Sequence, residues 1–222
     1  MPAQEFETAV FINCPFDNTY APLLEAALFC ITYFGFKPRL ANERLEAGEN
    51  RLDKITGMIR NSKYSIHDLS RCRADSAGDY FRMNMPFEYG IDVGFRRGDN
   101  AGLQAKKFLI FERNPYELKR ALSDIAGQDV VHHNDDYESI IRHIRDFFRV
   151  EANINAPGPS RLMADYVTFQ GWMTEKKIHE GHSEAEALKL PTRERLDEMK
   201  AWGRAGRPTS FVPEPPPDFI NN

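Results

Sequence analysis

Apolar residues along the chain switch between two spacings. Ala9-Val10-Phe11-Ile12 is an unbroken apolar run ended by Asn13-Cys14-Pro15, the pattern of a strand buried on both faces. From Asn18 to Phe34 the positions Tyr20, Leu23, Leu24, Ala27, Leu28, Ile31 and Phe34 follow the helical period, and Gly35 stops it. Phe36 to Ala41 predicts a second strand, weakened by Pro38, and a polar loop runs from Asn42 to Asn50. Leu52, Ile55 and Ile59 mark a helix ending near Asn61, and Tyr64-Ser65-Ile66-His67-Asp68 is a third strand, followed by the polar stretch Ser70 to Tyr80. Asn84-Met85-Pro86-Phe87-Glu88-Tyr89-Gly90 then opens a helix in which Phe87, Ile91, Gly94 and Phe95 recur at helical spacing. That face is expected to pack on a sheet, with Glu88 beside it. Lys107 to Phe111 predicts a fourth strand, Tyr116 to Leu122 a short helix, and Asp129-Val130-Val131-His132 a fifth strand. Tyr137, Ile140, Ile141, Ile144 and Phe148 trace the clearest amphipathic helix.

Strands alternating with helices through short connections imply a parallel sheet covered on both faces, with right-handed crossovers. The expected fold class is α/β: a flavodoxin-like, doubly wound five-stranded parallel sheet with a helical C-terminal extension. In such sheets ligands bind beyond the carboxyl ends of the strands at the switch point, here between the first and third strands. Three segments converge there: Asn13 to Asp17, Asp68 to Arg71, and the N-terminus of the Glu88 helix.

After Glu151 the composition shifts. Ala152 to Ser160, with Pro157-Gly158-Pro159, reads as a linker. Beyond it, Leu162, Tyr166, Phe169, Trp172 and Met173 form one helical stripe, and Leu196, Met199 and Trp202 another. The expected organisation is an α/β domain over 1–151, a linker over 152–160, a helical extension over 161–206 and a Pro-rich tail over 207–222. Two short helices cannot build a core alone, so they are expected to pack on the sheet domain or on a second subunit. Core packing explains their aromatic residues better than a cofactor box does. Pro213-Glu214-Pro215-Pro216-Pro217 is expected as exposed, extended polyproline.

Composition narrows the function classes. A net charge of -4 over 222 residues leaves no electrostatic footprint for duplex nucleic acid or an anionic membrane. Three cysteines, Cys14, Cys30 and Cys72, lack the CxxC spacing of a zinc cluster and suggest no disulfide scaffold, so a reducing cytoplasm is expected. The start Met1-Pro2-Ala3-Gln4-Glu5 does not read as a signal peptide, and no apolar segment has the length that spans a bilayer. No GxGxxG follows the first strand and no GxxxxGK[ST] occurs, which argues against a dinucleotide Rossmann site or a P-loop. A phosphoacceptor domain would use Asp17 and Asp68 but needs a lysine at the tip of the fifth strand, where His132-His133 stand. Those two histidines, adjacent in a strand, face opposite sides, so no metal and no cofactor is assigned.

Glu88 is the residue with the most chemistry. Proline is tolerated in the opening turn of a helix, and Asn84 is placed to cap its free backbone donors. The helix dipole favours the charged carboxylate by roughly 0.3–1 kcal/mol, while burial against Phe87 and Tyr89 opposes it. The ordinary alternative is that glutamate simply suits a first turn. Asp68 likewise reads as a turn or cap residue, Arg71 and Arg73 as solvated charge, and Asn13 as a strand-end partner for backbone groups.

Three segments in order, Phe11-Ile12-Asn13-Cys14-Pro15-Phe16, then Ile59-Arg60-Asn61-Ser62-Lys63-Tyr64-Ser65-Ile66-His67-Asp68-Leu69, then Pro86-Phe87-Glu88-Tyr89-Gly90, resemble the nucleoside 2-deoxyribosyltransferase family. More distantly they are similar to TIR domains that cleave NAD. The resemblance covers about the first 150 residues, the size of one such domain. It implies that Glu88 is the nucleophile that attacks the anomeric carbon, and that Asn13, Cys14, Pro15, Phe16 and Asp17 line the nucleobase and sugar pocket. Asp68 is a candidate for catalysis through hydrogen bonds to sugar hydroxyls, and Arg71, with Asn84 and Met85 at the helix start, for holding a phosphate. The family usually carries an aspartate on the second helix, where this chain has Ile55, with Asp53 and Lys54 nearby. Because related transferases complete their pockets across subunits, the resemblance also implies a homo-oligomer.

Two further readings compete with an N-glycosidic enzyme acting on a nucleotide or nucleoside. One is a module that senses a nucleotide without cleaving it, which the missing aspartate favours. TIR-like relatives suggest a bacterial defence setting for such a module. The other is an interaction protein that works through its aromatic C-terminal part.

Overall fold

The computed structural model describes residues 3–41, 48, 50–74, 80 and 82–213. The expected polyproline run from Glu214 onward lies outside the described residues. The chain divides into two compact units, Met1–Pro159 and Ser160–Asn222.

The first unit is a five-stranded, all-parallel sheet in flavodoxin-like order β2-β1-β3-β4-β5. Its strands are β1 (Ala9–Asn13), β2 (Lys37–Leu40), β3 (Tyr64–Asp68), β4 (Lys107–Glu112) and β5 (Val131–His132). Pro38 pairs with Val10 on the outer strand β2, where a missing backbone donor is tolerated. The last strand is shorter than the sequence suggests: Asp129 and Val130 precede it, and only two residues pair with β4.

A short helix α1 (Ala3–Thr8), which the apolar pattern does not reveal, leads directly into β1. Helix α2 (Ala21–Tyr33) ends at Phe34, and Gly35 follows at φ +81°, the left-handed conformation that glycine adopts without steric cost. Helix α3 (Arg51–Arg60) is capped by Asn50, whose side chain accepts from the backbone N–H groups of Leu52 (2.9 Å) and Asp53 (3.3 Å). Helix α4 (Asn84–Arg97) carries Glu88, the short helix α5 (Ala101–Gln104) precedes β4, and α6 (Leu118–Ala121) follows it. Tyr116, expected at the start of that helix, instead sits at φ +66° in the turn before it. Helix α7 (Tyr137–Glu151) is capped by Asp136.

Strand alternation sorts side chains onto two faces. On one face Phe11 packs with Ile55, Met58 and Ile59 of α3, joined by Ile91 and Phe95 of α4. On the other, Tyr64 meets Phe147 and Phe148 of α7, and Phe36 stacks on Phe148 at 4.4 Å between ring centroids. Ser65 and His67 reach toward α4, whereas Asp68 reaches Tyr20, just before α2, and His133, just before α7.

The second unit contains α8 (Pro159–His179) from its second residue on, α9 (Glu184–Ala187) and α10 (Thr192–Arg204). The two expected helical stripes belong to α8 and α10, whose Phe169 and Trp202 rings lie 5.7 Å apart. Their apolar stripes are buried, and Lys177 pairs with Glu180, Glu194 and Glu198. Among the described residues, no helix is long and apolar enough to cross a membrane.

Candidate functional site

Two clefts open on the carboxyl-end rim of the sheet. The first, about 510 Å³, lies between the N-termini of α3 and α4 and is lined by Asn50, Arg51, Leu52, Ile55, Asn84, Phe87 and Glu88. Met83, rather than Asn84, occupies the cap position of α4, and it makes no side-chain cap bond, so the exposed Asn84 side chain is left to the cleft wall. Phe87 is 58% exposed, and the buried stripe of α4 is instead Met85, Glu88, Tyr89 and Asp92. The expected packing face therefore holds at Ile91 and Phe95, which pack against the core, and fails at Phe87 and Gly94, which are exposed. Two carboxylates belong to the buried stripe, and an apolar count scores them as solvent-facing.

Glu88 is 8% exposed, and among the described residues its carboxyl group makes no hydrogen bond or ion pair. Burial raises its pKa to about 7, against a smaller opposing effect of Arg51. Desolvation therefore outweighs the helix dipole. At neutral pH the group populates both the acid and the carboxylate, in a cleft with apolar walls (Leu52, Ile55, Phe87) and two amide side chains (Asn50, Asn84).

Asn13 lies beneath the first turn of α4. Its amide nitrogen donates to the Met85 carbonyl at 2.8 Å and lies 3.1 Å from His67 Nδ1. A carbonyl only accepts, so the nitrogen must face Met85, and its second hydrogen meets an unprotonated Nδ1. The His67 proton is then on Nε2, 3.1 Å from Asp92 Oδ2. Asp92 also accepts from Ser65 Oγ and pairs with the buried Lys106 ammonium at 3.1 Å. Burial alone would raise the Asp92 pKa, but His67, Lys106 and Ser65 together hold it below the ordinary value. The Lys106 ammonium, pushed down by burial despite Asp92, donates to the carbonyls of Ile59 (2.8 Å) and Ser62.

Asp68 occupies the opposite face of the sheet, as its place one residue from His67 requires. It is fully buried and accepts from Tyr20 Oη at 2.7 Å and from the Ser70 backbone N–H at 2.9 Å. His133 Nδ1 accepts from the Asp135 N–H, so Nε2 carries the ring proton, and it lies 3.2 Å from Asp68 Oδ2. His132 is exposed on the other side of the strand. Asp68 thus serves the structure of the strand ends. Cys14 lies within electrostatic reach of both faces: burial first, and then the charges of Asp68, Glu88 and Asp17, push its thiol pKa well up. Pro15 is buried in the turn that follows, and Phe16 is 45% exposed at its edge.

Asp17 and Arg71 belong to the second cleft. Asp17 accepts from Thr19 Oγ1 (2.6 Å) and the Tyr20 N–H (3.0 Å), and Arg71 grips it through Nε (3.3 Å) and Nη2 (3.0 Å). Burial works to raise the Asp17 pKa, and these hydrogen bonds outweigh it.

The fold therefore brings Glu88 and Asn84 into one cleft, with Met85 and Asn13 buried directly under it. It assigns Asp17 and Arg71 to the neighbouring cleft and seals Asp68 on the far face. Arg51 and Leu52 are site residues the sequence reading passed over. Asn50, two residues before Leu52 with Asp53 next, was the cap signal that would have aimed the start of α3 at the same rim. Asp92, four residues after Glu88 on the same helix face, was the signal for the buried network. Comparison with protein-family models, with curated proteins and with solved structures gave no match.

Proposed function

We propose that the Glu88 cleft cleaves or transfers the N-glycosidic bond of a nucleotide or nucleoside. One observation carries this reading: a carboxyl group without a partner among the described residues, at the edge of an open cleft, has its pKa raised to about 7 by burial. Breaking a C–N glycosidic bond builds positive charge on the sugar carbon, and an ionised Glu88 offsets that charge or captures the carbon as an ester. The electron pair of the broken bond leaves with the base, which takes up a proton from solvent or, where its ring is already cationic, departs as a neutral molecule. Water, or a second base, then attacks the same carbon and releases the carboxylate. Leu52, Ile55 and Phe87 offer apolar surface to a base, and Asn50 and Asn84 offer amides to sugar hydroxyls.

The test is release of free base from NAD, deoxynucleoside monophosphates and ribonucleosides, followed by chromatography. Turnover should rise with pH through about 7 as Glu88 ionises, and Glu88→Gln should abolish it. A Gln variant as active as the parent would remove the mechanism.

Sensing without cleavage is the second reading, favoured by Ile55. That side chain lines the cleft where the resemblance calls for an aspartate. Calorimetry showing tight binding of one of these compounds with no product formed would select it.

A further inference from the structure

The second cleft, about 550 Å³, is lined by Asp17, Thr19, Arg71, Arg73, Tyr80, Arg82 and Arg113. Its residues come from the turns after β1, β3 and β4, so it lies at the carboxyl ends of three strands. Among the described residues that line it, four are arginines and one is acidic, in a chain whose net charge is -4. Guanidinium groups from the connections after β3 and β4 therefore meet in one concavity. We propose that this cleft binds a di- or triphosphate group, whether free or as part of a nucleotide.

Arg71 is ordered in advance. Its Nε and Nη2 are spent on Asp17, and Nη2 also donates to Thr19 Oγ1 at 2.7 Å. Its Nη1 makes no hydrogen bond among the described residues, leaving two N–H groups on a guanidinium that is already fixed. Arg82 has no side-chain ion pair among the described residues. Arg73 holds Glu117 at 3.1 Å while remaining 71% exposed, and Arg113 pairs with Asp135. Planar guanidinium forks match the paired oxygens of phosphate and lose little freedom when they engage it. A single phosphate spans few of these groups, whereas linked phosphates reach guanidinium groups from the connections after β3 and β4 at once. Tyr80, 93% exposed, adds an aromatic face next to them. The inference does not depend on chemistry at Glu88.

The experiment is isothermal titration calorimetry of the full chain at physiological ionic strength with inorganic pyrophosphate and tripolyphosphate, using inorganic phosphate and sulfate for comparison. Pyrophosphate and tripolyphosphate should bind at least about tenfold more tightly than phosphate or sulfate, since each added charge-assisted hydrogen bond is worth about that factor. The double variant Arg73→Ala/Arg82→Ala, in which both side chains are exposed, should weaken pyrophosphate by a similar factor with an unchanged melting temperature. Arg60→Ala, at the far end of α3, should bind as the parent does. The proposal is overturned if pyrophosphate does not bind, if phosphate binds equally well, or if Arg60→Ala weakens binding as much as the double variant.

Discussion

Replacing Glu88 by glutamine should stabilise the protein at alkaline pH. An unfolded glutamate ionises near 4.5, and the folded one near 7. The folded state therefore holds its proton over a range in which the unfolded chain has released it, and stability falls as pH rises from 4.5 to 7. Each pKa unit is worth about 1.4 kcal/mol, which bounds the full penalty at about 3.5 kcal/mol. Solvent reaching the open cleft screens part of this, leaving roughly 2 kcal/mol above pH 7. Glutamine has nearly the shape of the protonated acid and no charge to bury. Urea unfolding between pH 4 and pH 9 should give coincident curves for parent and Glu88→Gln at the acid end and a gap of roughly 2 kcal/mol at the alkaline end. In a chain of this size that gap corresponds to a few degrees in the melting temperature of the sheet unit. A variant that is equally or less stable than the parent at every pH would show that Glu88 pays no desolvation penalty, and the reading of the cleft would fail with it.

The remaining predictions concern the groups around the two clefts. Asn13→Ala removes the donor to the Met85 carbonyl and the partner of His67, and should cost about 1–3 kcal/mol in urea unfolding. Lys106→Met leaves Asp92 charged, buried and short of its ammonium, at a cost of about 3–5 kcal/mol. The double variant Asp92→Asn/Lys106→Met should lose clearly less than the sum of the single losses, and strict additivity would refute the pairing. Asp17 titrates below its usual value of 3.8, so it adds stability at neutral pH that disappears as the solution is acidified through its folded pKa. Asp17→Asn should flatten that part of the acid unfolding curve.

The sheet was legible because β1 and β4 carry unbroken apolar runs, β3 alternates Tyr64 and Ile66 with polar residues at the strand period, and Gly35 marks the end of α2. Two of the helices that position the site were legible only as helices. Which face of α4 turns inward depends on partners that sit elsewhere in the chain: Asp92 can be buried because Ser65, His67 and Lys106 surround it. Nothing in the local spacing of Phe87, Ile91 and Phe95 reports that: Ile91 and Phe95 pack on the core as their spacing predicts, while the deepest burial falls one position on, at Glu88 and Asp92. The separation of Asp68 from Glu88 was readable in principle. Neighbours in a strand face opposite ways, and once Asn13 and His67 are placed under α4, Asp68 has to face the layer of α2 and α7. Convergence of loops at the switch point carries no information about which face each side chain takes, and the structure divides these residues between two clefts and the far face of the sheet. The arginine-lined cleft was half legible. Arg71 and Arg73 stood out in the loop after β3, while Arg82 and Arg113 join them only through the fold.

The contrast within α4 is what separates Glu88 from an ordinary first-turn glutamate. Glu88 and Asp92 lie one turn apart on the same buried stripe, yet their pKa values move in opposite directions. Asp92 has a histidine N–H, a hydroxyl and an ammonium gathered around it, and stays ionised despite being sealed from water. Among the described residues, Glu88 has only the field of Arg51 against its burial. A glutamate retained for helix stability would sit in water, where the dipole benefit comes without desolvation. A glutamate retained for packing would be matched with donors, as Asp92 is. Glu88 is in neither position: it carries a desolvation penalty beside an open volume, and that arrangement is productive only when something entering the cleft interacts with its charge. Two carboxylates driven apart by their surroundings are the usual sign of divided roles, one structural and one chemical. Under the proposed function the structural partner would also fix the chemical one, because the chain of bonds from Lys106 through Asp92, His67 and Asn13 ends on the Met85 carbonyl, in the same helical turn as Glu88.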